Sequence, residues 1–424
     1  MKARYRRTLG FFVATLFLLS GCGFEPGLSE DKALPISADL VIIGDGIGGL
    51  AASLEASRRG ASVVLFSGES PGERWMWEEG FLRPRKSAGS FKKLIADRGW
   101  SGYQKWHFDL LYRNASEDLA WLSRETGLKV EPGPDGVIPQ NRSYDQVHSL
   151  LKEKACQEGV RFIEGAVLEE LLQDGDSVAG AGFTDTAGVY NDVYAPAVIL
   201  ADGGFLGDPA QVGELAPGTA VAPWIGSGGG RGVALAREAG LDLVSETAFS
   251  YAPAVEEKQG QALGEPPVET LMILDREIFL FSELQRNELV GLLLESPSQS
   301  AYLLVPEAGL KPKQKPDWPR YSGIDAFMKH YRLRLPELSR RFRQPEKPFL
   351  GCRIKPVAVY CLGGIAVNDA GLVLRNKEPV KGLYALGETA GGLNGETVIP
   401  GVALTEALVW GRYLGSAAAD QLEP

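Results

Sequence analysis

Asp39-Leu40-Val41-Ile42-Ile43 is a short, almost uninterrupted apolar run, the pattern of a strand buried on both faces. Apolar positions then recur at helical spacing in Leu50, Ala51 and Leu54, Arg58 and Arg59 suit the negative end of a helix dipole, and Gly60 is placed to stop it. A second strand follows over 62–66, so residues 39–67 read as one βαβ unit. Further along, Ser116 as N-cap with Leu119 and Leu122 on one face predicts a helix over 116–126. A second helical stretch covers 144–158, with strands over 160–163 and 178–183. Residues 197–201 are again wholly apolar and end at Asp202-Gly203-Gly204-Phe205. The glycine-rich stretch 226–232 opens a helix over 233–239. From about residue 244 the character changes to longer polar loops, with Gly264-Glu265-Pro266-Pro267 and helices near 284–295 and 325–331. This reads as an inserted domain. The first pattern returns after 363, with a strand ending at Gly387-Glu388, a glycine-rich loop to Gly401 and a last helix over 403–418.

The first strand runs straight into Gly44-Asp45-Gly46-Ile47-Gly48-Gly49, which fits G-x-G-x-x-G. Gly44 permits the turn, Gly46 lets a pyrophosphate approach the backbone, and Gly49 lets the helix pack close to the strands. With 52 glycines in the chain a bare match carries little; the strand before it, the helix after it and the second strand make it a dinucleotide site. The acidic residue expected about 20 positions on to hold the ribose hydroxyls is missing, because that strand ends in Ser67. Either the Ser67 hydroxyl takes that role or Glu69 does. Tryptophans 75 and 77 lie in the loop that follows, as candidate walls of a ligand site or as packed aromatics.

The 424 residues allow two to three domains, and 44% hydrophobic with 23% charged residues describes a globular protein. A formal net charge of -10 leaves no basic excess for nucleic acid. Residues 1–21 stand apart from the fold: Lys2, Arg4, Arg6 and Arg7 precede an apolar core over 11–19 that is too short to span a membrane. Leu19-Ser20-Gly21-Cys22 resembles a bacterial lipobox, which implies cleavage before Cys22, its lipidation, a tether over 22–36 and a place on the periplasmic side of the cell envelope. Gly23 in place of a retaining aspartate favours the outer membrane, and Arg6-Arg7 is compatible with twin-arginine export. Cys156, Cys352 and Cys361 do not form the pattern of a disulfide framework, and no C-x-x-C-H haem motif occurs. Electrons must therefore come from another molecule. His107, His148 and His330 are too scattered to suggest a metal cluster.

Gly363-Gly364-Ile365, the run 379–388, Gly391-Gly392, Pro400-Gly401 and Ala403-Leu404 together resemble the C-terminal signature of the FAD-binding fumarate reductase and succinate dehydrogenase flavoproteins, closest to the soluble flavocytochrome c fumarate reductases. The likeness extends in order over 39–416. It implies an α/β fold: a Rossmann-like FAD-binding domain in two parts, 37–246 and 357–424, with an α+β capping domain inserted over 247–356. It places Gly44, Gly46, Gly49, Gly203, Gly204, Gly387, Glu388, Ala403 and Leu404 on FAD, with the dipole of the last helix directed at the flavin edge.

The substrate positions depart from that family. It grips two carboxylates with arginine, histidine and threonine, since two buried anions need paired donors. Here Val398 and Val402 stand in the final loop where arginine and asparagine are expected. Val359, Tyr360 and Cys361 stand in place of two histidines and a threonine, and Ala252-Pro253 lacks a histidine. An unpaired buried carboxylate costs several kcal/mol, roughly a thousandfold in affinity, so the expected substrate is not a dicarboxylate. Pro400-Gly401 is similar to the ketosteroid dehydrogenases of the same superfamily, whose substrates are apolar. Arg286 falls on the family's proton-delivering arginine, and Tyr360 is a second candidate donor. The expected activity is hydride transfer at a carbon–carbon bond next to a carbonyl in a small-molecule substrate, with a cytochrome or quinone-linked protein as electron partner. The rival reading is a membrane-tethered flavin-binding protein for electron transfer or partner docking, with little catalysis of its own.

Overall fold

The computed structural model describes residues 36–421 apart from 69–75, 78, 85–86, 98–99, 133–135, 226–228, 259–260, 264–265, 268, 282–283, 285, 309 and 342–343. The signal and tether calls, Cys22, Trp75 and Glu69 lie outside these residues.

In chain order the elements that position the site are strand β1 (Leu40–Ile43), helix α1 (Ile47–Arg58), strand β2 (Val63–Ser67), helices α2 (Lys105–Thr126) and α3 (Tyr144–Gln157), and strands β3 (Arg161–Glu164), β4 (Ala197–Leu200) and β5 (Phe249–Val255). Helix α4 (Arg286–Glu295), strands β6 (Phe349–Cys361) and β7 (Glu378–Ala385) and helix α5 (Val402–Asp420) complete the set.

A large mixed sheet contains the parallel run β7-β4-β1-β2-β3. Its apolar strands are explained by where alternate residues go. Leu40 and Ile42 enter one apolar cluster, Val41 and Ile43 the cluster on the opposite face, and β2 and β4 divide in the same way. Every residue of β1 is thus buried, as period-2 geometry requires of a strand covered on both sides. Chain order reverses between β1 and β4, and ligands of such sheets bind in the crevice beyond the strands' carboxyl ends at that point.

A second, antiparallel sheet is built around β5 and β6, joined by strands Ala301–Pro306, Leu271–Leu274 and Glu277–Leu280. It carries its own core, with Leu289 and Leu293 of α4 packed on Met272, Leu303 and Cys352. The insertion is therefore a separate body of chain, as its polar loops predicted. Strand β6 starts in that core and ends with Ala358 and Cys361 in the core of the first sheet.

Helix α2 begins well before Ser116, so that residue is not its cap: Phe108, Leu111 and Ala115 extend the buried stripe of Leu119 and Leu122 backwards by more than two turns. The stripe is at helical spacing, but Trp106, His107 and Asn114 break its polarity and mask it in the sequence. Helix α3 starts where expected and is capped reciprocally by Ser143 and Gln146. Cys352 and Cys361 are buried and outside any disulfide.

The two ends of the chain meet through small residues. A Cβ on Gly411 of α5 would lie 2.3 Å from the Gly48 carbonyl oxygen of α1, and one on Gly415 would lie 2.3 Å from that of Ala52. The helices touch backbone to backbone, which fixes both N-termini on one cavity.

Candidate cofactor and active site

The turn after β1 is forced by its neighbours. Gly44 has φ +110°, and a Cβ there would meet the Ala201 carbonyl oxygen at 2.3 Å. Helix α1 then starts at Gly46 and α5 at Gly401, neither with a side-chain cap. The free N–H groups of both first turns present positive dipole ends.

Both ends open on one cavity of about 420 Å³. Gly44, Asp45, Gly46, Ser67, Gly203, Gly204, Gly387, Glu388, Ala403, Leu404 and Tyr360 all line it. The structure thus gathers the candidates from three distant stretches of chain. Gly49 is the exception: it does not line the cavity but lies against the Gly44 carbonyl oxygen, where a Cβ would sit at 1.9 Å. Its role is close helix–strand packing. Trp77 is packed against Phe81 and Tyr144 and donates its indole N–H to the Arg142 carbonyl at 3.1 Å, outside the cavity lining. Arg286 is the first residue of α4 in the inserted domain, and its side chain lies outside the described residues.

The adenosine end holds an acid that the sequence reading missed. Asp45, inside the glycine turn, is bonded by the Ser67 hydroxyl, with His148 Nε2 at 3.5 Å and Lys152 Nζ at 3.6 Å from Oδ2. Lys152 also donates to Ser67 Oγ at 3.1 Å and to Glu164 at 2.5 Å. Burial pushes the Asp45 carboxyl up, but the bonds from His148 and Ser67 and the charges of His148 and Lys152 outweigh it and hold it below the usual range. Asp45 and Ser67 together supply the acceptor that the end of β2 lacks. The only sequence signal for it is a charged residue at a variable position of the glycine motif.

Glu388, expected on the flavin hydroxyls, accepts the Cys361 backbone N–H at Oε1 over 2.6 Å. It ties the end of β6 to the strand-end turn while still facing the cavity. Asp202 also lines the cavity: Oδ2 accepts the Gly232 N–H at 2.8 Å, and Oδ1 is buried without a hydrogen-bond partner among the described residues. Burial, against the bonds from backbone N–H groups, pushes its carboxyl up to about 6.

Tyr360 is brought to the cavity by an irregularity. Ser250 pairs with Tyr360 but Tyr251 with Ala358, so Val359 is the extra residue of a bulge in β6, a device that re-aims the adjacent side chain. Of the departures from a carboxylate clamp, Tyr360 lines the cavity, while Ala252 and Val359 belong to the same large buried apolar cluster as Tyr360 and Val398 packs against that cluster.

A doubly wound sheet, two uncapped helix ends on one cavity, an unpaired buried carboxyl oxygen and a ribose-end acid define a dinucleotide-type flavoprotein. They fit FAD: the Gly44-to-Gly46 turn and α1 suit its pyrophosphate, Asp45 and Ser67 its ribose, and α5 its flavin edge. A family described as FAD binding domain matches residues 39–263 and 321–404. The chain belongs to that family and is an FAD-dependent oxidoreductase, with the FAD-binding fold interrupted by an insertion.

It is similar to an NADH:fumarate oxidoreductase of Klebsiella pneumoniae, 24% identical over 96% of this chain and 50% of that protein. The chain thus spans half the length of that relative. Among solved structures it resembles the open conformation of a flavocytochrome c3 fumarate reductase, with TM-score 0.75 and 19% identity over 94% of this chain and 82% of that one. It also resembles 3-ketosteroid-delta4-(5alpha)-dehydrogenase from Rhodococcus jostii RHA1, with TM-score 0.71 and 19% identity over 92% of this chain and 98% of that one. These structural likenesses speak for the fold alone.

Proposed function

We propose that the protein moves a hydride between FAD and a carbon–carbon bond conjugated to a carbonyl, in a substrate that is not a dicarboxylate. The observation that carries this reading is Tyr360 on the cavity wall, at a position where the resemblance calls for a carboxylate-binding side chain. A tyrosine there, with Ala252, Val359 and Val398 at the other clamp positions, offers no paired donors for two carboxylates, and its hydroxyl offers one proton. When bound, FAD supplies the hydride chemistry, and the protein supplies position and the proton. The Tyr360 hydroxyl is held protonated: burial first, then the charges of Glu406 and Glu388, push it well above its ordinary value. A phenol in that state gives a proton to a developing carbanion rather than taking one. Arg286 remains a proposed stabiliser of charge developing on the substrate.

The test uses FAD-loaded protein reduced with dithionite and mixed without oxygen with cyclic enones, enoates and fumarate. Flavin colour is expected to return with an enone and not with fumarate. Tyr360→Phe is expected to slow that return by about 10²–10⁴ while leaving the bound-flavin spectrum unchanged. Reoxidation by fumarate alone, or by no compound of the panel, overturns the reading.

The proposal extends to the setting. The chain has no haem motif, and a structural relative is a flavocytochrome, which supports a cytochrome or quinone-linked protein as external electron partner. The lipobox supports a lipid anchor at Cys22 on the periplasmic side, with the outer membrane preferred. Fractionation tests it: Cys22→Ser is expected to move the protein from the membrane pellet to the soluble fraction, and a soluble wild-type protein would refute the anchor.

A further inference from the structure

Glu406 of α5 has no exposed surface and does not reach the cavity wall. Its Oε2 is a focal point: Asn394 Nδ2 donates to it at 2.7 Å, the Tyr360 hydroxyl lies at 3.4 Å, and His107 Nε2 lies at 3.8 Å. The indole N–H of Trp410 donates to His107 Nδ1 at 3.0 Å. Indole is a donor only, so that nitrogen carries the lone pair and the neutral ring holds its proton on Nε2. Three atoms of this group, Glu406 Oε1, His107 Nε2 and Asn394 Oδ1, are buried with no hydrogen-bond partner among the described residues. Two of them are acceptors, so the group is short of a donor, and unmet polar atoms at such depth are costly.

Resting on the reading that Tyr360 is the proton donor, we propose that Glu406 is its positioning residue, setting by its own protonation whether the Tyr360 hydroxyl proton points into the cavity or away from it. The separation of 3.4 Å is long for O–H···O and leaves the hydroxyl free to turn. With Glu406 ionised, the phenol donates to the carboxylate and its proton is withheld from the cavity. With Glu406 protonated, the carboxyl donates to the phenol oxygen and the phenol proton faces the substrate.

The step balances. One carbon of the substrate double bond receives the hydride, with its electron pair, from reduced flavin. The other receives the Tyr360 proton, and the phenolate of Tyr360, which lines the cavity, regains a proton from solvent once the product has left, Glu406 keeping its own throughout.

The groups facing Glu406 allow this. Burial, opposed by the bonds from Asn394 and Tyr360 and reinforced by the Glu388 charge, pushes its carboxyl up to about 7. His107, on α2, is driven by burial down to about 3 and stays neutral throughout. Cys361, next to Tyr360, is pushed well up by burial and by Glu388 and stays a thiol. Of Glu406, His107, Tyr360 and Cys361, only Glu406 changes charge between pH 6 and 8.

Two measurements on FAD-loaded protein test the proposal. In the wild type, reoxidation of the dithionite-reduced protein by the enone that performs best is expected to fall about tenfold from pH 6 to pH 8, one unit beyond the carboxyl midpoint. In Glu406→Gln the amide N–H mimics the protonated acid, and the rate is expected to be flat over that range. A wild-type pH profile in a folded, yellow Glu406→Gln protein overturns the proposal.

The second measurement needs no substrate. Infrared difference spectra of the oxidised protein are expected to show a carboxyl C=O band that disappears with a midpoint near pH 7, is lost in Glu406→Gln and shifts in Tyr360→Phe. No such band, or one indifferent to Tyr360→Phe, also overturns the proposal. Should no compound reoxidise the flavin, the proposed function falls while the infrared result still decides whether Glu406 and Tyr360 share a proton. If Glu406→Gln fails to fold, Tyr360→Phe decides it alone.

Discussion

Gly411→Leu is expected to purify as a colourless, destabilised protein. The first side-chain carbon would lie 2.3 Å from the Gly48 carbonyl oxygen, and the atoms in its way are backbone, so no rotamer relieves the clash. Helix α5 must move off α1, at a cost of about 3 kcal/mol or more. The functional loss follows from the same displacement. Gly46, the cap of α1, and Ala403, in the first turn of α5, both line the cavity, and a ligand held at both ends loses both when the helices separate. Flavin absorbance per chain and the urea midpoint read the two effects. A yellow protein of wild-type stability would show that the helices do not jointly hold the cofactor.

Arg412→Met has the second largest expected effect, a loss of about 3 kcal/mol at pH 8 that shrinks towards pH 5. Arg412 follows Gly411 in α5, where it meets Glu55 of α1 at 2.7 Å and Asp118 of α2, and stacks over Trp121 with its guanidinium carbon 4.9 Å from the ring centre. Methionine keeps much of the packing volume but leaves two shielded carboxylates without their cation. In the wild type, burial pushes Asp118 up to about 6 even though Arg412 opposes it. The sign follows from that rise: an acid whose folded value exceeds its unfolded one costs stability as pH climbs from the unfolded towards the folded value. Removing the cation raises the folded value further, so the variant's stability should fall with pH more steeply than the wild type's and over a higher range. Urea unfolding at pH 5, 6.5 and 8 checks this. A penalty that does not depend on pH would mean that packing on Trp121, and not charge, is what Arg412 provides.

These residues show which parts of the molecule were legible. The βαβ unit at the start could be read because each signal is local: an apolar run, three glycines at fixed spacing and a helix stop act within a few residues of one another. The cavity-lining glycines were found for the same reason. Helix α2 was read short because its buried stripe is interrupted by two polar residues, His107, whose partner Trp410 is far along the chain, and Asn114, which bonds the Leu110 carbonyl within the helix. Asp45 was read past because a carboxylate beside a pyrophosphate turn looks unfavourable until Ser67, His148 and Lys152 are seen around it. Glu406 offered no signal at all. It lies in an apolar helix 299 residues from His107, and only the crossing of α5 and α2 brings the two together.

The amino-acid order alone determined a dinucleotide fold with an interruption, because backbone turns and strand burial are written in neighbouring residues. Only the tertiary structure decided that Gly49 serves packing, that a bulge at Val359 turns Tyr360 to the cavity, and that Glu406 stands behind it. Those depend on distances between side chains separated by tens to hundreds of positions, which local preference does not encode.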